Sequence, residues 1–497
     1  MPASAASPGR DAAVIDVGSN SVRLVLYRVE GRSLWTVFNE KVLAGLGRDL
    51  KKTGRLSPEG RASALAALRR FRVVVDRLPP EAIFTAATAA IREAEDGPEF
   101  SDQVQAETGL RLRVLSGPEE ARYAALGVIA GAPAGHGVVG DLGGASLELT
   151  PIGPGGAGEG VTLPLGPFSL GPFPDADPDS LRREVDARLA SVSGLQAGTF
   201  HAVGGAWRNL ALIHMHMTGY PLRVVHQYEM SRGEALGACR FVASQSRRSL
   251  EAVEGVSRKR AETLPHAAVV LERLILALGI ERISLSAYGV REGLLFEAMT
   301  PAEQALDPLI EGCAALTART GADAALGPVL QAWLSPVFEA LPQALGPREP
   351  VLRAAACRLA DLGARLHPDH RADLVFEQVL RAPIGGQSHA ERAFLAMAAF
   401  SRHSSSSNVP EPGTIQRLLP DAARRRARAL GAAIRLGCDL TGRDPALLTH
   451  TRLRLQDGAL TLTTDADRAD LLLGEQTSRR ANALAGLLDA RADIRVA

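Results

Sequence analysis

Residues Ala12–Val29 read AAVIDVGSNSVRLVLYRV. An apolar run closes on Asp16, small residues Gly18-Ser19-Asn20 make a tight turn, and the chain returns with Val22, Leu24, Leu26 on one face and Arg23, Val25, Tyr27 on the other, the alternation of a strand. The segment predicts a β-hairpin with an acid at the strand end. The pattern recurs as GVVGDLGGASLELTPI, Gly137–Ile152, so that Asp16 and Asp141 stand 125 residues apart. That separation suits two related α/β domains, each opened by its own hairpin.

Between the hairpins, helical stretches (58–78, 98–109, 118–130) alternate with short strands (82–85, 111–115), the layering of an α/β domain. The second half repeats this composition through Glu297. Beyond about Pro301, Ala/Leu/Arg-rich helical periodicity takes over as far as His403, predicting an all-α third domain. Ser401–Gly413 (SRHSSSSNVPEPG) has the Ser, Pro and Gly content of a flexible connection. After it, a small α+β domain is expected. The expected division is a disordered N-terminus 1–11, then domains 12–134, 135–300, 301–412 and 413–497.

A chain of 497 residues exceeds what one hydrophobic core holds. With 46% hydrophobic and 22% charged residues it has an ordinary globular composition. No apolar run reaches the ~20 residues of a membrane span, and the N-terminus lacks the pattern of a secretory signal. A cytoplasmic protein without a membrane partner is expected. The four cysteines stand far apart and out of zinc-ligand spacing. A net charge of +1 leaves any polyanion to local basic patches and does not favour nucleic acid.

In each D-x-G-x-x-S turn, small residues let backbone N–H groups converge on phosphate oxygens while the aspartate can hold a hydrated cation. One such turn needs no ligand; two in matching strand context point to a phosphate grip. The phosphate-binding candidates are Gly18, Ser19, Asn20, Ser21, Gly143, Gly144, Ala145 and Ser146, with Arg92 from ATAAIREA (87–94) as a guanidinium donor. Asp141 and Glu148, on the two arms of the second hairpin, are candidate Mg²⁺ ligands, with Asp16 a further one. Ser116-Gly-Pro-Glu119 reads as a helix start in which Glu119 closes a capping box. Glu120 then has no local task, which makes it the candidate general base. Gly204-Gly205 can bring backbone against a ligand. GPGGAG, 153–158, matches a dinucleotide pattern formally but opens no helix and reads as a hairpin loop. His214-Met215-His216 reads as helix packing.

Taken in order, DVGSNS (16–21), ATAAIREA, SGPEEAR (116–122), DLGGASLE (141–148), the glycine pair and SAYGVREGLL (286–295) resemble the Ppx/GppA phosphatases, which are exopolyphosphatases and guanosine pentaphosphate phosphohydrolases of the acetate kinase, sugar kinase, heat-shock chaperone and actin superfamily. The resemblance implies two duplicated actin-like (ribonuclease H-like) domains around a cleft, Glu120 as catalytic base, Asp141 and Glu148 as magnesium ligands, the two turns with Arg92 as phosphate contacts, and a homodimer. It implies processive release of orthophosphate from inorganic polyphosphate. Hydrolysis of guanosine pentaphosphate to the tetraphosphate, and silent sensing of polyphosphate or an alarmone, stand as alternatives, as does a kinase with a bound acceptor. RLADLGARLHPDH (358–370) resembles the HD-like helical domain of longer members, with Ala360 where the histidine of the HD pair would be and Asp361 beside it. That departure leaves binding, not hydrolysis, as its expected role. Arg48, Lys51, Lys52 and Arg55, and Arg424, Arg425, Arg426 and Arg428, are candidates for guiding a polyphosphate chain.

Overall fold

Strict alternation in the first hairpin sends Ala13, Ile15 and Val17 to one face of the sheet and Ala12 and Val14 to the other, and both faces are covered. The computed structural model describes residues 9–132, 135–171, 178–192, 194–253, 256 and 261–497. Its strands, in chain order, are β1 (Arg10–Val17), β2 (Val22–Glu30), β3 (Ser33–Val42), β4 (Ala82–Ala87), β5 (Arg113–Val114), β6 (Gly137–Leu142), β7 (Leu147–Gly153), β8 (Gly156–Ala157), β9 (Val161–Leu163), β10 (Thr199–Val203), β11 (Glu229–Ser231), β12 (Arg282–Leu285), β13 (Thr451–Gln456), β14 (Ala459–Thr464) and β15 (Arg491–Val496).

Among the described residues, the first sheet runs β3-β2-β1-β4-β5 and the second β11-β12-β10-β6-β7-β8, with β9 also on β7. The duplication holds strand by strand. β1 pairs antiparallel with β2 and parallel with β4, as β6 pairs antiparallel with β7 and parallel with β10. Asp16 stands opposite Arg23 across the first hairpin, and Asp141 opposite Glu148 across the second.

The first sheet buries its inner face under helices Pro58–Arg77 and Gly97–Thr108, through Leu68, Phe71, Phe100 and Val104. Helix Gly117–Gly131 lies between the two sheets: Tyr123 and Ala130 join the core of the first, Ala125 and Val128 that of the second. Helix Val290–Glu297 packs along it so closely that a Cβ on Gly127 would stand 2.1 Å from the Gly289 carbonyl oxygen, and one on Gly293 1.9 Å from that of Tyr123.

Residues Gly9–Ala305 form one compact unit and Leu306–Ala497 another. The expected N-terminal tail is corrected in part: β1 begins at Arg10, and Asp11 pairs with Arg28, while residues 1–8 lie outside the described ones. The boundary expected at 134/135 falls on residues 133–134, also outside them. The one expected at 300/301 shifts to 305/306 because helix Pro301–Gln304 folds back, Gln304 Nε2 donating to the Phe296 carbonyl at 2.8 Å.

The second unit opens with helices Pro308–Ala318, Leu326–Phe338, Glu349–Arg358, Arg371–Arg381 and His389–His403, and ends in the sheet β13-β14-β15 with helices Asp421–Thr441 and Glu475–Leu487. Ser401–Gly413 is not an interdomain hinge. The helices on either side of it, His389–His403 and Asp421–Thr441, pack directly, with Gly431 against the Ala398 carbonyl. The Gly153–Gly158 hairpin loop is as expected. His214 is buried on Tyr228, its Nδ1 2.7 Å from the phenol oxygen. All four cysteines are buried free thiols, and among the described residues no helix is long and apolar enough to cross a membrane.

Helix propensity alone makes Gly→Ala stabilising by ~1 kcal/mol in an exposed helix interior. Gly293→Ala is expected to destabilise instead, by roughly 2–4 kcal/mol, since backbone faces backbone there. Gly237→Ala, on an exposed helix surface with open space around it, is expected to stabilise by ~0.5–1 kcal/mol. Thermal or urea unfolding of both variants checks the opposite signs.

Candidate active site

The two hairpin turns are built alike. Gly18 N–H donates to Ser21 O, and Gly143 N–H to Ser146 O, both at 2.9 Å. Each turn is braced by a glycine-bearing loop further along its own lobe. Gly45 and Gly47 donate to Asn20 O and Ser19 O at 3.1 and 2.8 Å; Gly166 and Phe168 donate to Ala145 O and Gly144 O, both at 2.9 Å. With their carbonyls tied from behind, the turns keep a fixed shape toward each other. A Cβ on Gly144 would come within 3.2 Å of Ser19 Cβ, so the two tips almost touch.

A cleft of about 500 Å³ opens beside that contact. It is lined by Gly18–Ser21 and Gly143–Ser146 together with Asp16, Glu120 and Asp141. Gly204, at φ 107°, lets the backbone run so close to Leu142 that a Cβ would meet its carbonyl oxygen at 2.6 Å, and it also lines the cleft.

Glu120 reaches the cleft because its neighbour does the capping. Ser116 N–H donates to Glu119 Oε2 at 2.9 Å in a complete capping box, and that contact with the Arg113 guanidinium at 2.7 Å pulls the Glu119 carboxyl down to about 2. Glu120, one residue on in the first turn and 7% exposed, faces the cleft. Burial pushes its carboxyl upward and the nearby Asp16 adds to this, while Arg92, whose Nη1 donates to Oε2 at 3.1 Å, holds it back.

Asp141 is pushed up to about 7 by burial, by Glu120 and by Asp16, against Arg291. It keeps some surface in the cleft although protein encloses it. Glu148, 1% exposed, stands behind it and outside the cleft lining. Burial, Glu120 and Asp141 raise it well above the usual range; Ser146 nearby offsets this slightly, yet neither carboxylate oxygen accepts a hydrogen bond from the described residues.

Arg92 also lies outside the lining. Its Nη1 serves Leu115 O at 2.8 Å as well as Glu120, so a phosphate contact would fall to its other nitrogens. Of the basic groups, Lys51 crosses to Ser169 O at 3.0 Å beside the second brace, and Arg48 lies against the first. Arg55 is turned to Asp96. Arg426 forms an ion pair with Glu349, and Arg424 pairs with Asp421, so both are engaged within their own unit.

The sequence reading missed a basic wall. Arg23, Lys41, Arg208 and Arg291 line the cleft beyond the carboxylates. Arg291 Nη1 stands 3.3 Å from Asp16 Oδ2. Burial works against the Arg291 charge, but Glu292, Tyr27 and Asp16 hold it firmly protonated. Burial and then Arg291 lower Arg23 to about 10, and lower Arg208 also. Arg23 follows Asp16 by the same seven positions as Glu148 follows Asp141, a signal the repeat contained.

Among the described residues no three His, Cys, Asp or Glu side chains converge as a ready-made metal cage. The clustered acids and the unsatisfied Glu148 oxygens do fit a hydrated divalent cation that takes its remaining oxygens from water and phosphate, as Mg²⁺ characteristically does.

Residues 25–302 match the Ppx/GppA phosphatase family, and residues 314–494 match the family described as Exopolyphosphatase, C-terminal. The chain belongs to the Ppx/GppA phosphatase family. Exopolyphosphatase 1 of Mycobacterium tuberculosis is 29% identical over 308 residues, covering 58% of this chain and 87% of that protein. Exopolyphosphatase 2 of the same organism is 26% identical over 311 residues, 57% and 96% of the two chains. The crystal structure of the Aquifex aeolicus Ppx/GppA family member superposes with a TM-score of 0.52 at 26% identity, covering 58% of this chain and 97% of that one. An exopolyphosphatase structure from Cytophaga hutchinsonii shares the fold at a TM-score of 0.54 and 21% identity, with 58% and 97% covered. The actin-like architecture of two duplicated lobes around a cleft, followed by helical HD-like and small α+β parts, is that of this Ppx/GppA chain.

The raised Asp141 carboxyl carries a stability consequence with a definite sign. Between about pH 4 and 7 the folded chain holds a proton that the unfolded chain has lost, so this carboxyl's contribution worsens as pH rises through that window and the loss is complete above 7. Without divalent cation, Asp141→Asn is expected to be more stable than the parent at pH 8 by roughly 1–3 kcal/mol and so to melt higher, and the two are expected to converge toward pH 4. Melting curves across that range check it.

Proposed function

We propose that the chain is a magnesium-dependent exopolyphosphatase that hydrolyses the terminal phosphoryl group of inorganic polyphosphate with Glu120 as general base. The observation that carries this reading is the placement of Glu120: a mostly buried carboxylate facing a cleft at the point where two glycine-lined turns from opposite lobes meet. The names of the curated relatives agree with it.

In this reading, the N–H groups of the Gly18–Ser21 and Gly143–Ser146 turns hold the terminal phosphoryl oxygens. Asp141 and Glu148, with Asp16, hold Mg²⁺, which supplies charge neutralisation to the phosphoryl oxygens when bound. Glu120 orients a water in line with the bond to be broken and accepts its proton, and the upward push of burial makes it a stronger base than a surface glutamate. Arg92 fixes the carboxylate that does this. Arg23, Lys41, Arg208 and Arg291 receive the negative charge of the next phosphates, and orthophosphate leaves. Arg48 and Lys51, beside the turn braces, extend the basic path that processive cleavage requires.

Guanosine pentaphosphate hydrolysis would use the same turns and the same base. Comparing orthophosphate release from long polyphosphate and from guanosine pentaphosphate, at equal phosphate concentration and with no acceptor, decides between them; a preference for the nucleotide overturns the substrate chosen here. A kinase would release nothing without its acceptor. The family resemblance also brings a cytoplasmic homodimer, for which sedimentation of the purified chain tests the assembly.

Glu120→Gln is expected to lower turnover by about 10²–10⁴ while leaving tripolyphosphate binding within a few-fold, measured by calorimetry; a silent sensor would show no turnover to lose. Chelation of divalent ions is expected to abolish release, and Mg²⁺ is expected to raise the melting temperature of the parent more than that of Asp141→Asn.

A further inference from the structure

A buried carboxylate stands behind the basic wall of the cleft. Glu292, 4% exposed, lies outside the cleft lining, one residue beyond Arg291 in the first turn of helix Val290–Glu297. Its Oε2 accepts the Gly289 N–H at 2.8 Å, and its Oε1 accepts the Tyr27 hydroxyl at 2.5 Å. Tyr27, 3% exposed, shares a face of β2 with Arg23. Burial and then Glu292 hold its phenol well above the usual range, so it remains a donor. Arg291 Nε stands 3.9 Å from Glu292 Oε1, while Arg291 Nη1 is turned to Asp16.

Helix capping does not account for this residue. Glutamine closes a capping box as well as glutamate does, and Glu234 closes one from an exposed position. A carboxylate withdrawn from water costs more than an amide, so what Glu292 adds over glutamine is charge. That charge reaches Arg23, Arg208 and Arg291 alike. Burial and then Arg291 lower Arg23 and Arg208, and Glu292 offsets part of this in both. Against burial, Glu292 is the strongest support of the Arg291 charge, ahead of Tyr27 and Asp16.

We infer that Glu292 is a positioning residue: acting through Arg23, Arg208 and Arg291, it weakens their grip on phosphate so that a cleaved chain can leave or advance. The role rests on the phosphohydrolase reading above and adds to it a group that lines no part of the cleft. A guanidinium wall without this counter-charge would hold substrate, transition state and product more tightly alike, and uniform tightening does not speed bond breaking. It slows departure, the step that limits turnover in many enzymes. A like charge a few ångströms behind an anion, in a cleft partly shielded from water, is worth about tenfold in affinity. Hydrogen bonds from Tyr27 and Gly289 keep the charge at a fixed depth behind the wall.

The test compares Glu120→Gln protein with and without Glu292→Gln, titrated calorimetrically with inorganic tripolyphosphate in the presence of Mg²⁺. Glutamine keeps the volume and the cap but not the charge, and melting curves monitor the fold. The expected result is binding about tenfold tighter, with KM and kcat for polyphosphate hydrolysis both falling when Glu292→Gln is placed in the otherwise native chain. Loss of a residue that only capped the helix would leave affinity unchanged or weaker. The same comparison in an Arg208→Gln background, where one guanidinium fewer has to be balanced, guards against loss of fold and is expected to show the same tightening. Glu292→Asp, which restores a carboxylate, is expected to return affinity close to that of the parent. A folded Glu292→Gln protein, in either background, that binds tripolyphosphate no more tightly than its own parent overturns the role assigned to Glu292. Release of orthophosphate from polyphosphate by the native chain is measured separately: its absence overturns the functional reading, whereas its presence beside unaltered tripolyphosphate binding overturns this inference alone.

Discussion

The approach of helix Val290–Glu297 to helix Gly117–Gly131, with no side chain at Gly127 or Gly293 to keep them apart, is the constraint on which the first unit depends. Glu120 projects from the first turn of one helix and Arg291 from the first turn of the other. Bringing the backbones together brings the carboxylate and the guanidinium to the same cleft, and both first turns present the positive end of a helix dipole to whatever anion enters. Because the longer helix joins the cores of both sheets, the spacing between the hairpin turns is inherited from this contact. A substitution there would act on chemistry through geometry, without touching a ligand.

Charge within the cleft is arranged for a guest. The carboxylates of Asp16, Glu120, Asp141 and Glu148 crowd together, as do the guanidinium groups of Arg23, Arg208 and Arg291, the two sets meeting at the Asp16–Arg291 contact; burial and like charge raise Glu120, Asp141 and Glu148 and lower Arg23 and Arg208. A folded protein gains nothing from such separation, and perturbed groups of this kind concentrate where binding or catalysis uses them. In the proposed function, a phosphate chain accompanied by a divalent cation would bring both signs. This is a better reason to locate chemistry here than the glycines, which any tight hairpin could use.

Local sequence revealed what local physics determines. Two hairpins with an acid at each strand end, and a capping box that claims Glu119 and so frees Glu120, follow from spacing alone. What the sequence hid was tertiary. Arg291 lies 275 residues from Asp16, and no periodicity links them. Gly45–Gly47 and Gly166–Phe168, whose N–H groups brace the turns, look like ordinary loops until their acceptors are known. Arg92 is turned toward Glu120, and Glu148 stands behind Asp141, distinctions of side-chain direction that strand register cannot supply. The Ser-rich run at Ser401–Gly413 misled for a related reason: composition shows that a segment lacks a core of its own, but not that the helices it joins are packed together.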